Sequence, residues 1–211
     1  MKLYDLSHPL NYNTPVFPGS KQPYFTSASN IESDGYRETL ITINSHLGTH
    51  IDAPAHIIEK GVPLDKMPLE AFTGTAVIIT VPERAGLIQI SFLEHYTREI
   101  RAADFVLFKT NHCKYWGTPA YFDNFPVPDL DAINWLTGFS LKGIGFDTIS
   151  ADKMESTELE NHHVVLSKGM IIIENLHFPE DMTTTSGRFF CFPLPYENAD
   201  GCPIRAVLEI E

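Results

Sequence analysis

The stretch "ENHHVVLSKGMIIIEN", residues 160–175, combines the two kinds of secondary structure that decide the fold class. Its first half is rich in residues that a helix tolerates and ends at Gly169, a residue that commonly closes a helix in the left-handed conformation. Its second half is a short continuous apolar run, which is typical of a strand buried on both faces. We therefore expect a helix, a tight turn and a buried strand that ends at Glu174.

Strand-like runs recur along the rest of the chain. Seven more are "KLYDL" (2–6), "ETLITIN" (38–44), "GTAVIITV" (74–81), "DFVLFKT" (104–110), "KGIGFDT" (142–148), "RFFCFP" (188–193) and "IRAVLEIE" (204–211). Because they alternate with only a few helical segments, the sequence predicts an α/β fold of mixed α+β character. We expect a single domain over residues 1–211, with a mixed, largely buried β-sheet flanked by a few helices.

The helices are predicted from their terminal residues. "SFLEHYTREI" begins at Ser91 and has Glu94 three residues later, which is a capping box. "PDLDAINWLTG" ends at Gly138, a second candidate left-handed stop. The helix of the opening stretch is expected to begin near Ser156 or Thr157, where a capping hydroxyl is available.

The composition sets the class of protein and disfavours two kinds of partner. With 211 residues, of which 43% are hydrophobic and 20% charged, the chain can bury a sizeable core. The formal net charge of −12 argues against nucleic acid and anionic membranes as partners. The N-terminus lacks a secretory apolar segment, and no apolar run reaches the roughly 20 residues of a membrane span. Three cysteines without C-x-x-C spacing predict reduced thiols, so we expect a cytoplasmic enzyme.

Two long segments rich in proline and aromatic residues are predicted to be loops. They cover Asn11 to Asn30 and Cys113 to Asp129. Loops of this length in a compact domain are often covers of a functional site or contacts between subunits. The alternative is a surface hydrophobic cluster with a purely structural role.

Three histidines and an aspartate fall within "SHLGTHIDAPAH", residues 45–56, although the chain holds only 9 histidines. Gly48 and Pro54 argue against a helix here. An extended segment would turn four side chains of the same parity to one side: His46, His50, Asp52 and His56. The strand-like run at 38–44 would deliver this segment from the core. Neutral imidazoles and a carboxylate that converge in this way form a ligand set for zinc, or for manganese with more oxygen donors.

A second group of candidate ligands lies in the opening stretch. Glu174 follows four apolar residues, and a carboxylate at the end of a buried strand is costly unless it is paired or bound to a cation. The alternative is that Glu174 is solvated or pairs with a basic residue. His162 and His163 are adjacent, so a helix would turn only one of them towards the site.

These residues carry a resemblance to a known family. "HLGTHIDAPAH" resembles the H-x-G-T-H-x-D-x-P-x-H signature of the cyclase family of metal-dependent hydrolases, of which bacterial kynurenine formamidase is one branch. "PVFPGSKQP" is similar to the family's substrate loop, and "GIGFDTIS", "ENHHVVLSKGMIIIENL" and "RFFCFPLPYENADGCPIRAVLEI" are similar to later segments. The resemblance therefore covers nearly the whole chain.

The resemblance assigns roles by position. It implies five metal ligands: His46, His50, Asp52, His162 and Glu174. Asp52 and Glu174 would bridge two ions, and the spacing of twelve residues before Glu174 favours His162 over His163. Zinc is the expected ion, one or two per chain, with manganese as the alternative.

The resemblance also implies a reaction. His56 would move a proton between a metal-activated water and the leaving nitrogen of an aryl formamide such as N-formyl-L-kynurenine, a substrate of tryptophan catabolism. Phe17 stands where the formamidase branch has tryptophan and would contact the aromatic ring of the substrate. Trp116 and Phe178 are further candidates for that contact. The chain has no G-x-S-x-G motif, which excludes a serine hydrolase of that type.

Other functions stay open on the sequence alone. The same chemistry would serve a cyclic amide, an imide or an ester, and the Phe17 departure points that way. A metal-binding module without catalysis is the alternative of another class. The aromatic loops and the resemblance together predict a homodimer or a homotetramer.

Overall fold

The computed structural model describes residues 1–82 and 86–210. Its strands are β1 (Lys2–Asp5), β2 (Tyr24–Ser29), β3 (Glu38–Thr42), β4 (His50–Asp52), β5 (Thr73–Thr80), β6 (Leu87–Ile88), β7 (Phe105–Lys109), β8 (Val127–Pro128), β9 (Gly143–Phe146), β10 (Ile171–Glu174), β11 (Ser186–Phe190), β12 (Gly201–Pro203) and β13 (Val207–Ile210). Its α-helices are α1 (Ile31–Asp34), α2 (Ile90–Leu93), α3 (Thr97–Arg101), α4 (Leu130–Leu136) and α5 (Glu160–Ser167). Short 3-10 helices cover Pro54–His56, Leu64–Lys66, Leu69–Phe72, Glu94–Tyr96, His112–Tyr115 and Pro119–Phe122.

A mixed nine-stranded sheet organises the described residues, in the order β1-β13-β11-β5-β7-β9-β10-β4-β12. The central strands β5, β7, β9 and β10 run parallel, and the outer strands pair antiparallel. Each of the eight predicted strand runs contains a strand, although the last residue of the final run, Glu211, lies outside the described residues. The mixed α/β fold is confirmed.

The side chains of the central strands alternate between two apolar cores. On β7, Phe105 and Leu107 pack into one core, while Val106 and Phe108 pack into the other. Helices α2 to α5 cover the second core, whereas the curled sheet and its loops enclose the first. Each fully buried side chain of this size stabilises the fold by roughly 1.5–3 kcal/mol. The continuous apolar runs therefore do correspond to strands buried on both faces.

Two of the predicted helix starts are wrong. Helix α2 begins at Ile90 and no side chain caps it, so Ser91 lies inside the helix and the predicted capping box does not form. Helix α5 begins at Glu160 rather than at Ser156 or Thr157. The carboxylate of Asp152 accepts the backbone N–H groups of Asn161 and His162 in this first turn, from nine and ten residues earlier in the chain, so no local capping residue is needed.

The predicted helix ends fare differently. Gly169 has a φ of 75° and closes α5 as predicted. The chain leaves α4 at Thr137 in the right-handed conformation, so the left-handed stop predicted at Gly138 is wrong. Both helices nevertheless lie in their predicted segments.

Strands β2 and β3 form a separate two-stranded hairpin. Every residue of β3 is exposed, so the prediction that this run leads out of the core is wrong. The hairpin also corrects the first predicted loop, because Tyr24–Ser29 is a strand. β-branched residues fit a pleated strand whether or not its faces are covered, which is why composition alone misplaced this one.

The second aromatic segment forms a small core of its own. Tyr121, Phe125 and Val127 pack with Ile149, and Trp116 lies against them. This is the structural cluster that was the alternative for this loop. No helix among the described residues is long and apolar enough to cross a membrane.

Candidate metal centre

Strand β4 carries two of the predicted ligands on one face. His50 and Asp52 are two residues apart and turn to the same side, while Ile51 between them is buried in the core. The antiparallel register with β10 sets Glu174 opposite His50. As a result, His50 Nε2 lies 3.2 Å from Asp52 Oδ1 and 3.5 Å from Glu174 Oε2.

His46 reaches the same point from a loop, not from a strand. Gly48 has a φ of 62°, and the turn it permits brings the His46 ring back so that Nδ1 lies 2.5 Å from Asp52 Oδ1. His56 lies beyond Asp52 in the 3-10 turn that starts at Pro54. The prediction of one extended segment is therefore wrong, since only residues 50–52 are a strand, but the side chains do converge.

Helix α5 brings the third imidazole. His162 is buried, with Nε2 3.2 Å from Glu174 Oε1 and 3.5 Å from Asp52 Oδ2. Its neighbour His163 is exposed. The structure thus brings His162, rather than His163, together with Glu174 and Asp52.

Each of the three imidazoles proposed as ligands, those of His46, His50 and His162, donates an N–H to an acceptor on the side away from the donor group. His50 Nδ1 donates to the Gly48 carbonyl at 2.8 Å, and His162 Nδ1 donates to Asp152 Oδ2 at 2.6 Å. His46 Nε2 donates to Asp200 Oδ2 at 3.0 Å. Such partners hold a ligand histidine in one orientation. Sequence reasoning missed both carboxylates, because Asp200 is 154 positions from His46 and Asp152, 10 positions before His162, lies outside the helix that carries it.

The donor atoms fit a divalent cation. His46, Asp52 and His56 form one set whose nitrogen and oxygen atoms lie within 4.8 Å of one another, and His50, Asp52 and Glu174 form another. Asp52 Oδ2 is buried, and no hydrogen bond satisfies it within the described part of the chain. A buried carboxylate oxygen of this kind is costly unless a cation or donor meets it. Imidazole and carboxylate groups together are ligands typical of zinc and manganese.

The electrostatics of the group are dominated by its carboxylates. Burial alone would lower the pKa of His46, but the charges of Asp52 and Asp200 outweigh it and raise that pKa to about 9. Burial likewise opposes a charge on His162, yet the adjacent carboxylates of Asp152, Asp52 and Glu174 hold its pKa well above the usual value. A cation bound here would displace these protons and take over their role.

His56 differs from the other imidazoles. Burial lowers the pKa of His56 to about 4, so its ring is neutral at pH 7. The ring centroid lies 4.0 Å from that of His46 and 6.1 Å from that of His162. No side chain in the described residues hydrogen-bonds to its nitrogens. A neutral imidazole with free nitrogens next to a cation site can accept and return a proton.

The donor group lies at the base of a cavity of about 290 Å³. The residues that line it are Pro15, Phe17, Ser20, His46, His50, Asp52, His56, Ile149, Ser150, Leu159, His162, Glu174 and Asn175. Phe17, the candidate substrate contact, is 40% exposed and lies at this cavity. Trp116 stacks on His8 and Phe178 is buried in the core, so neither lines the cavity.

A second, larger groove of about 480 Å³ runs beside β5 and α3. His95 and Glu99 contribute to its lining, but neither belongs to the two donor sets. The chemistry of the molecule is therefore concentrated at the smaller cavity, where buried charges and free nitrogens meet.

The chain is similar to a protein family and to proteins of known name. The Cyclase family model, described as "Putative cyclase", matches residues 4–153. A kynurenine formamidase of Bordetella avium is 30% identical over 210 residues, which is 98% of this chain and 97% of that protein.

Two solved structures share the fold over nearly their whole length. Isatin hydrolase A from Ralstonia solanacearum has a TM-score of 0.85 at 25% identity and covers 99% of this chain and 92% of its own. A predicted metal-dependent hydrolase from Bacillus stearothermophilus has a TM-score of 0.80 at 29% identity, and the match covers 98% of this chain and 97% of that one. The matched family model, the relatives and the cluster of histidines and carboxylates lead to one conclusion. The chain belongs to the cyclase family of metal-dependent hydrolases.

Proposed function

We propose that this amidohydrolase cleaves the C–N bond of an aryl formamide, with N-formyl-L-kynurenine as the first candidate substrate. The observation that carries the proposal is the set of imidazoles and carboxylates that converge beside His56 and line a small cavity. The name of the Bordetella avium relative supports the formamide. The products would be formate and an aromatic amine.

Five side chains would hold the cation: His46, His50, Asp52, His162 and Glu174. Zinc suits this set best and manganese is the alternative, because both accept imidazole and carboxylate ligands. Asp52 belongs to both donor sets, so a pair of ions could share it. The bound cation would polarise the substrate carbonyl and lower the pKa of a coordinated water.

The chain's own residues would carry the proton. His56 would take a proton from water as the C–O bond to the formyl carbon forms. It would return that proton to the nitrogen as the C–N bond breaks, so no charge is left on the leaving amine. Phe17 would lie against the aromatic ring, and Glu174 and Asp52 would stay with the cation as ligands.

A cyclic amide is the second candidate substrate. Isatin hydrolase A is named for such a substrate and shares the fold at 25% identity. The cavity has a volume of about 290 Å³, and Phe17 replaces the tryptophan expected of a formamidase. In this case the proton from His56 would go to a ring nitrogen that stays attached to the product.

The test is a substrate panel on protein loaded with zinc or with manganese. N-formyl-L-kynurenine and formanilide represent aryl formamides, and isatin represents cyclic amides. Turnover of the formamides supports the first proposal, and turnover of isatin alone supports the second. Stoichiometric metal without turnover of any compound would favour the metal-binding module without catalysis.

We also propose that residues 1–211 form one cooperative domain. This domain would self-associate through the β2–β3 hairpin as a homodimer or homotetramer. Tyr24 and Leu40 lie on one face of the hairpin and are 59% and 58% exposed. A two-stranded hairpin is marginally stable alone, so a second copy that covers this face would stabilise it.

We expect the protein to be cytoplasmic, because its free, buried cysteines suit a reducing compartment.

Light scattering after size exclusion measures this assembly. We expect Leu40→Glu to release monomers, because it places a charge on the covered face. Thr39→Glu, on the opposite face of the same strand, is the matched control and should leave the assembly intact. A monomeric parent protein would contradict the proposal.

A further inference from the structure

The His46 ring lies between two carboxylates that have different surroundings. Nδ1 lies 2.5 Å from Asp52 Oδ1, and Nε2 lies 3.0 Å from Asp200 Oδ2. Asp52 is buried and belongs to both donor sets, whereas Asp200 belongs to neither and its side chain is 45% exposed. The ring therefore has one nitrogen on the side of the cation site and one on the outer side.

Asp200 is itself fixed relative to the ligand strand. Its carboxylate accepts hydrogen bonds from Ser45 Oγ and from the Tyr196 hydroxyl, both at 3.2 Å. Its backbone carbonyl accepts the N–H of Ala53 at 2.9 Å, one residue after β4. The next residue, Gly201, pairs with Asp52 in the sheet. The acceptor for His46 is thus tied to β4 through both side chain and backbone.

This arrangement decides which nitrogen of His46 a cation would take. Both ring nitrogens face carboxylates, Nδ1 that of Asp52 and Nε2 that of Asp200. A cation bound by Asp52 would replace the proton on Nδ1, and the single N–H of the remaining neutral imidazole would then lie on Nε2, towards Asp200. His50 and His162 are turned the other way, since their Nδ1 atoms donate to Gly48 and Asp152.

We propose that Asp200 is a positioning residue that keeps the proton of His46 on Nε2 and so presents Nδ1 to the cation, in contrast to Nε2 of His50 and His162. The inference rests on the proposed metal site but goes beyond it, because it assigns the ligand atom of each histidine. Loss of such a partner commonly lowers metal affinity by about 10–100-fold. Because Asp200 is half exposed and its charge is screened, we expect about 10-fold.

The test compares Asp200→Ala, Asp200→Asn and a matched control. The control is Asp5→Ala, whose carboxylate is 44% exposed and pairs with Arg205 and Ser7 rather than with the site. Zinc affinity is measured by competition with a chromophoric chelator. The unfolding temperature of each metal-free variant shows that it is folded.

The second readout is the tautomer of each histidine, read from ¹⁵N-labelled imidazoles in the zinc-loaded protein by NMR. We expect one ring with zinc on Nδ1 and a protonated Nε2, and two with the reverse pattern. Asp200→Ala should lose affinity and the first pattern. Asp200→Asn should recover both in large part, because its amide oxygen still accepts the Nε2 proton.

Two results would overturn the inference. One is an Asp200→Ala protein that binds zinc as tightly as Asp5→Ala does. The other is a wild-type spectrum in which His46, assigned by its loss in His46→Ala, has zinc on Nε2. Both leave the metal site in place, whereas a wild-type protein that binds neither zinc nor manganese would overturn the proposed function as well.

Discussion

His56→Ala tests whether the proposed proton carrier is distinct from the proposed metal ligands. Its ring is neutral at pH 7, because burial lowers the pKa of His56 to about 4, and it lines the cavity. Removal of a group that transfers protons in the transition state commonly costs 10²–10⁴-fold in rate, or about 2.7–5.4 kcal/mol. We expect kcat to fall within that range while KM changes little.

The metal content of the same variant gives the sharper result. His56 lies within ligand distance of His46 and Asp52, so geometry alone also allows it to be a ligand. The contacts of Asp52 with His46 at 2.5 Å and with His50 at 3.2 Å do not involve His56, and they would remain. We therefore expect full metal content in His56→Ala.

The assay pairs elemental analysis with steady-state kinetics on one preparation. His163→Ala is the matched control, because it removes an exposed imidazole next to a proposed ligand and should keep both metal and turnover. If His56→Ala emptied the site, His56 would be a ligand. If it kept full turnover, the proton transfer would have to be assigned elsewhere.

Three other changes test the site and the fold. In Gly201→Ala the new Cβ would lie 2.5 Å from the His46 ring, so the ring must move by about 1 Å and we expect metal affinity to fall. Gly86→Ala is the control, because its new Cβ would meet no atom within 4 Å, and it should leave metal affinity unchanged. Phe17→Ala should raise KM by up to about tenfold at nearly constant kcat, since ring contacts contribute about 0.5–1.5 kcal/mol. Phe17→Trp keeps an aromatic ring at this position, so its KM should stay close to that of the parent protein. A fall in kcat alone would contradict this. Burial raises the pKa of Asp147 to about 6, so the folded state binds this proton more tightly, and stability should fall by about 3 kcal/mol as the pH rises from about 4 to 6. Urea unfolding of Asp147→Asn should lack that part of the profile; an unchanged profile would refute it.

The histidine pattern predicted the centre better than it predicted the backbone. His50 and Asp52 do share one face of a strand, because strand periodicity depends only on local sequence. His46 and His56 arrive through a left-handed turn and a 3-10 helix, which parity does not foresee. The residue types that a cation needs were thus visible, whereas the turns that bring them together were not.

The outer acceptors could not be predicted, because neither lies within the few residues that a local capping or turn pattern spans: Asp152 is 10 positions from His162 and Asp200 is 154 from His46. Asp152 and Asp200 sit in ordinary turn sequences, and only the packing of α5 and the pairing of β12 with β4 bring them to the histidines. The exposure of β3 was equally hidden. Its apolar and β-branched residues predict a strand with a face to bury, but they do not indicate whether the same chain or another one buries it.

The pairing of β12 with β4 has a consequence for protein synthesis. His46 and Asp200 are 154 positions apart, so the ribosome makes the histidine long before its carboxylate partner. Contacts of such long range form late in folding. We expect the nascent chain to hold ions only loosely until its final strands have emerged, which delays tight capture of an ion until the whole sheet has closed around it.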